Sequence, residues 1–188
     1  NYWFFIVFYA YNITVPKGDN DMDIARRIDY FYSISHRDYD TYDQFIQDFN
    51  DESYTSSDFF EPFLVYGVSK ITNDVQILFL MYGLRFGYFY SRNIAFALDS
   101  IPKTLLRKIW PVFFLYAFMN PFWNINGFRF WFATHVFLYG LILFLIHRKK
   151  KGILFMLATP FIHFSFIFSI AIFLLYFIAG SRLKIYYY

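Results

Sequence analysis

The stretch FRFWFATHVFLYGLILFLI, Phe128–Ile146, holds a single charge, Arg129, at its second position. A helix over this stretch is about 28 Å long at 1.5 Å per residue, close to the roughly 30 Å hydrocarbon core of a bilayer. Ionisable groups at membrane depth are costly and persist mostly where they bind or react. The stretch therefore predicts a membrane span with a functional residue near one end.

Working outward, Ile153–Ala179 is also apolar, with His163 and Ser165 inside it. As one upright helix it would reach roughly 40 Å, longer than the core. Pro160 can kink or break it. Two arrangements remain open: one long span, or a hairpin of two half-helices with its turn near His163. Val75–Tyr90 is near span length if Arg85 is accommodated. Ile109–Trp123 is a shorter apolar run, with Asn120 and Pro121 near its end.

Charge orders these pieces. All 14 acidic residues lie at or before Asp99, and from Ser100 onward the charges are Arg and Lys only. Basic loops favour the cytoplasmic side. His147–Lys151 and the loop carrying Arg92, Lys103, Arg107 and Lys108 are then both inside, two spans apart. Asn124–Gly127 and the acidic segment, residues 16–61, are outside. The basic group Ser181-Arg182-Leu183-Lys184 returns inside only if Ile153–Ala179 is a hairpin.

Composition agrees. The chain of 188 residues is 58% hydrophobic and 27% aromatic, with only 16% charged, against about 25% charged in an ordinary soluble domain. It has no cysteine, which excludes disulfides and thiolate chemistry. Tyr2–Ile13 is too short to span alone and lacks the features of a signal peptide. The expected fold is all-α: a polytopic integral membrane bundle, residues 1–188 forming one membrane domain truncated at both ends. The outer acidic segment carries short amphipathic helices, since Ile24, Ile28 and Phe31 recur at helical spacing.

Arg129 is the first candidate for chemistry. A cation is unfavourable at a helix N-terminus, and a bound anion would offset that. The guanidinium fork fits phosphate oxygens bidentately. Asn126 and Gly127, just before it, offer polar groups and close backbone approach. The competing role is an arginine snorkelling to the interface. His163, beside Ser165, can take a proton from a hydroxyl near pH 7, or can simply hydrogen-bond between helices. Arg85 requires a partner, either an acidic residue or a substrate phosphate. Arg26 stands one helical turn after Asp23, which admits a ligand role or a salt bridge. His135 reads as structural, and His147 and His36 as solvent-facing. Asp19, Asp21 and Asp23 lack the glycine and closing glutamate of a calcium loop, so no metal is expected.

The stretch Asn124-Ile-Asn-Gly-Phe-Arg129-Phe-Trp-Phe-Ala133, followed by a basic turn and His163-Phe-Ser165, resembles the EpsG/Wzy-like family of bacterial polysaccharide polymerases. Asp19–Tyr32 is similar to that family's aspartate-rich outer loop, and Phe86–Ile94 to the end of one of its spans. The resemblance implies a glycosyltransferase-type polymerase of exopolysaccharide or O-antigen in the bacterial cytoplasmic membrane, without metal or cofactor. A glycan chain passes from undecaprenyl diphosphate to a lipid-linked repeat unit. By analogy Arg129 and His163 are catalytic, holding the diphosphate and taking the proton, and Arg85, Arg26, Asp23, Asn126 and Ser165 line the substrate. Implied partners are the lipid-linked glycan, membrane lipid, and flippase and chain-length regulator proteins, with no nucleic acid. Members have more spans than this chain, so flanking helices are expected. Two other classes stay open. A lipid-linked glycan flippase would usually show paired broken-helix repeats. A non-catalytic subunit of an assembly complex would need neither Arg129 nor His163.

Overall fold

The computed structural model describes residues 2–14, 23–36, 60–99 and 127–180, with Gln44, Pro102 and Pro111 as single residues between them. Every described element is helical: α1 Tyr2–Tyr11, α2 Asp23–Ser35, α3 Phe60–Ser69, α4 Val75–Asp99, α5 Phe128–Leu141, α6 Lys151–Ile162 and α7 Phe166–Gly180. The expected span Ile109–Trp123 and most of the acidic segment lie outside the described residues.

Of the expected spans, one described helix is long and apolar enough to cross a membrane, Phe128–Ile146. It comprises α5 and a wider final turn, Ile142–Ile146, whose hydrogen bonds skip five residues. Arg148 follows in the left-handed region at φ 54°. That conformation costs a non-glycine residue roughly 1–2 kcal/mol, and it reverses the chain tightly into α6. The expected span Val75–Tyr90 is part of a longer helix that continues to Asp99.

Ile153–Ala179 is broken, as the hairpin arrangement requires. The α6 helix ends at Ile162, and His163 is extended, with φ −151° and ψ 118°. Ring contacts give the direction of each arm. His163 and Phe166 lie against Phe130, at the start of α5. Phe173 and Phe177 lie against Phe144, near its end. So α6 runs antiparallel to α5, and α7 turns back to run parallel with it.

The α4 helix also runs parallel to α5. Tyr82 stacks on Phe128, Phe89 meets Phe132 and Tyr139, and Phe96 meets His147. The α1 helix is antiparallel to α4, with Ala10 at Gly83 and Trp3 at Gly87. A Cβ on Gly83 would sit 2.6 Å from the Ala10 Cβ, and one on Gly87 would sit 2.7 Å from the Trp3 ring. Gly83-Leu-Arg-Phe-Gly87 thus forms the small-xxx-small face that lets apolar helices approach closely. Gly140 and Gly152 do the same where α5 and α6 cross.

The amphipathic reading of α2 holds: Ile24 and Phe31 are buried and Ile28 packs against the core. This face meets α3 and α4, so α2 caps the helical layer at the end where α5 begins. Much of the outward surface is apolar. Phe4 is 72% exposed, Leu154 70% and Phe168 77%, with Phe8, Phe161, Ile172 and Leu175 also exposed. Soluble monomers rarely expose contiguous apolar patches larger than a few hundred Å².

Candidate functional site

The end of the molecule where α5 begins holds a buried cluster of charge. Glu61, second residue of α3, is the only carboxylate among the described buried residues. Its Oε1 accepts the Tyr82 hydroxyl at 3.0 Å and pairs with the Arg27 guanidinium. Its Oε2 lies 3.1 Å from Arg129 Nε. Four elements, α2, α3, α4 and α5, therefore converge on one carboxylate. Burying a lone carboxylate costs several kcal/mol, and paired guanidiniums with a hydroxyl bond offset this.

Exposure grades the cluster. The side chains of Arg27 and Glu61 are 6% and 9% exposed, and that of Arg129 is 24% exposed. Phe128 buries the base of the cluster by stacking on Tyr82 with centroids 4.1 Å apart. The one carboxylate faces two guanidiniums. The α5 N-terminus adds partial positive charge, and Gly127 provides no side-chain cap there.

His163 stands at the same end. Its ring meets the Phe130 ring edge-on with centroids 5.5 Å apart, and its Nδ1 lies 2.8 Å from Ser165 Oγ. Two tautomers fit this bond. When Nδ1 carries the hydrogen and donates to Ser165 Oγ, Nε2 holds the lone pair that a base needs. In the other tautomer Ser165 donates and Nε2 is blocked. The Ser165 backbone N–H also donates to Nδ1, at 3.4 Å, which favours Nδ1 as the acceptor and the ring hydrogen on Nε2.

The remaining expected residues divide. Arg85 is half-buried in α4, its guanidinium 5.7 Å over the Phe60 ring and Nη1 3.4 Å from Met81 O. Of the two expected partners, an acidic residue or a substrate phosphate, no acidic residue stands among these contacts, which are a ring and a carbonyl. Asp23 and Arg26 lie on α2, and their side chains are outside the described set, as is Asn126. On α2 it is Arg27, not Arg26, that reaches Glu61. His135 is structural, as expected: it is fully buried, and the Asn93 amide donates to its carbonyl at 2.9 Å and lies 3.3 Å from its Nδ1. His36 and His147 are exposed.

Sequence reading missed Glu61 and Tyr82 as members of the site. A signal was available for Glu61: it is the one charge in FEPFLVYGVS, an otherwise apolar helix. No protein-family model, no curated protein and no solved structure matches the chain.

Proposed function

We propose that the chain belongs to a multi-pass enzyme of the bacterial cytoplasmic membrane that polymerises surface polysaccharide from undecaprenyl diphosphate-linked glycans. The observation that carries this reading is that Arg129 and His163 lie at the same end of the bundle, His163 against the ring of Phe130, the residue after Arg129. Two further features support a membrane setting. The outward faces are apolar, and the basic turn His147–Lys151 lies at the opposite end, beside Arg92 and Phe96. The positive-inside rule then puts Arg129 and His163 at the outer leaflet.

In this reading the guanidinium of Arg129 and the first N–H groups of α5 hold the diphosphate. A hydroxyl of the acceptor repeat unit attacks the anomeric carbon of the donor chain. The bond from that carbon to the diphosphate breaks, and the diphosphate leaves with the electron pair. His163 takes the hydroxyl proton on whichever ring nitrogen carries the lone pair.

Arg129→Lys tests the diphosphate contact, since a point charge cannot replace a planar fork. It should lose much of the polymer, and Arg129→Ala nearly all, while membrane insertion holds. One charge-assisted contact is worth about 1.5–3 kcal/mol, or roughly 10–150-fold in rate. Polymer at normal length and amount from the Ala variant would remove Arg129 from the reaction. A second reading, a non-catalytic membrane subunit, is favoured by one observation: Arg129 already has a protein partner in Glu61. In that case Arg129→Ala lowers stability and leaves polymer untouched.

A further inference from the structure

We propose that the turn between α5 and α6, with the outward stripe of α6 that continues from it, binds an anionic phospholipid. The headgroup phosphate sits on the lysines of the turn and one acyl chain lies along the stripe. Such a site rests on the membrane setting alone. It is independent of any chemistry at Arg129 and His163, which lie at the other end of the bundle.

The turn carries four consecutive cations, Arg148, Lys149, Lys150 and Lys151, and all four are exposed. No carboxylate pairs with any of them among the described residues. Asp99, at the end of α4, is exposed as well, and from Ser100 onward the chain holds no acidic residue. The turn is fixed by its backbone. Lys149 N–H donates to Leu143 O at 2.9 Å, Gly152 N–H to Lys149 O and Ile153 N–H to Lys150 O, both at 3.0 Å. The cations are therefore held together against their mutual repulsion, and an anion seated on them relieves it. Arg92 adds a further cation at this end, over the Phe96 ring, which itself meets His147.

The surface beside the charge selects a lipid over a free anion. Lys150 already has helical φ and ψ, −55° and −28°, so it is in register with α6. Leu154, Leu157 and Phe161 follow it at i+4, i+7 and i+11, and all three are exposed. At about 100° per residue these four side chains fall within an arc of roughly 60°. The stripe rises about 16 Å from Lys150 to Phe161 at 1.5 Å per residue, close to one leaflet's share of the roughly 30 Å hydrocarbon core. Basic residues that only set orientation act by number and side. Here they are also in register with an apolar track. A zwitterionic headgroup brings a cation of its own, which the turn repels, whereas an anionic headgroup brings net negative charge.

The test counts lipid retained by the detergent-solubilised chain through gel filtration, with phosphatidylglycerol and phosphatidylcholine of matched acyl chains as probes. The orientation of the chain plays no part in detergent. The unaltered chain should hold phosphatidylglycerol at least ten-fold more tightly. Lys149→Gln, Lys150→Gln and Lys151→Gln combined should bring it down to the phosphatidylcholine level, since each basic residue beside anionic lipid is worth about five-fold. Retention of phosphatidylcholine should not change. Raising salt from about 0.1 to 1 M shortens the Debye length from about 10 to 3 Å and should erase the preference without any substitution. Leu154→Ser combined with Leu157→Ser should weaken both lipids and keep the preference. Equal retention of the two lipids by the unaltered chain overturns the site and leaves the patch to an acidic protein. A preference that survives the lysine variant, or that Arg129→Ala removes instead, places the headgroup elsewhere and overturns it too. Phosphatidylglycerol held undiminished by the serine variant overturns the acyl track.

Discussion

Replacing Glu61 with Ala should lower the unfolding free energy of the detergent-solubilised chain by about 3–5 kcal/mol, the usual loss when one partner of a buried ion pair is removed. The mechanism is specific. Arg27 is 6% exposed and would be left with its charge buried, and Tyr82 would lose the acceptor of its 3.0 Å bond. The α2, α3 and α5 helices meet at this carboxylate, so its loss should loosen the outer cap before the rest. Arg27→Met combined with Glu61→Leu should recover most of the stability, because a well-packed apolar pair of similar volume often matches a buried ion pair. Denaturant or thermal unfolding of the three variants decides it. A loss below about 1 kcal/mol for Glu61→Ala would show that the carboxylate is well hydrated and the cluster weakly coupled.

His163→Gln should nearly abolish polymer while protein level holds. Glutamine can occupy a similar volume and hydrogen-bond to Ser165, and it cannot accept a proton from a hydroxyl. General-base catalysis is typically worth about 10²–10⁴-fold. Ser165→Ala should cut activity less, since it removes the bond at Nδ1 and leaves the ring in place. The Phe130 and Phe166 rings hold His163 from two sides, so neither substitution should disturb the hairpin. Near-normal polymer from His163→Gln would make the histidine a packing residue of the α6–α7 turn.

Much of the helical layer was legible because apolar runs and charged loops obey simple rules. The break at His163 followed from a run too long for one span and from the basic residues after it. The helical face of α2 followed from Ile24, Ile28 and Phe31. Pairing between distant residues was not legible. Glu61 reads as the last member of an acidic, water-facing segment, and only packing shows that it turns inward between Arg27 and Arg129. Arg26 and Arg27 are adjacent and chemically identical, and a helix rotates neighbours by about 100°, so the choice of inward residue depends on the exact face. Gly83 and Gly87 had a readable four-residue spacing in an apolar run, but which helix used it required the structure. Arg85 was read as needing an acidic residue or a phosphate, and an aromatic face also stabilises a guanidinium.

The measurement that bears most directly on the account is the sidedness of the two ends. The chain has no cysteine, so single cysteines report cleanly. Asp29 is exposed on the α2 cap and Lys150 is exposed in the basic turn. An impermeant maleimide added to intact spheroplasts should label a cysteine at 29, and label one at 150 only after the membrane is permeabilised. Labelling at 150 from outside, or of both positions from the same side, would contradict an Arg129 site opening on the outer face.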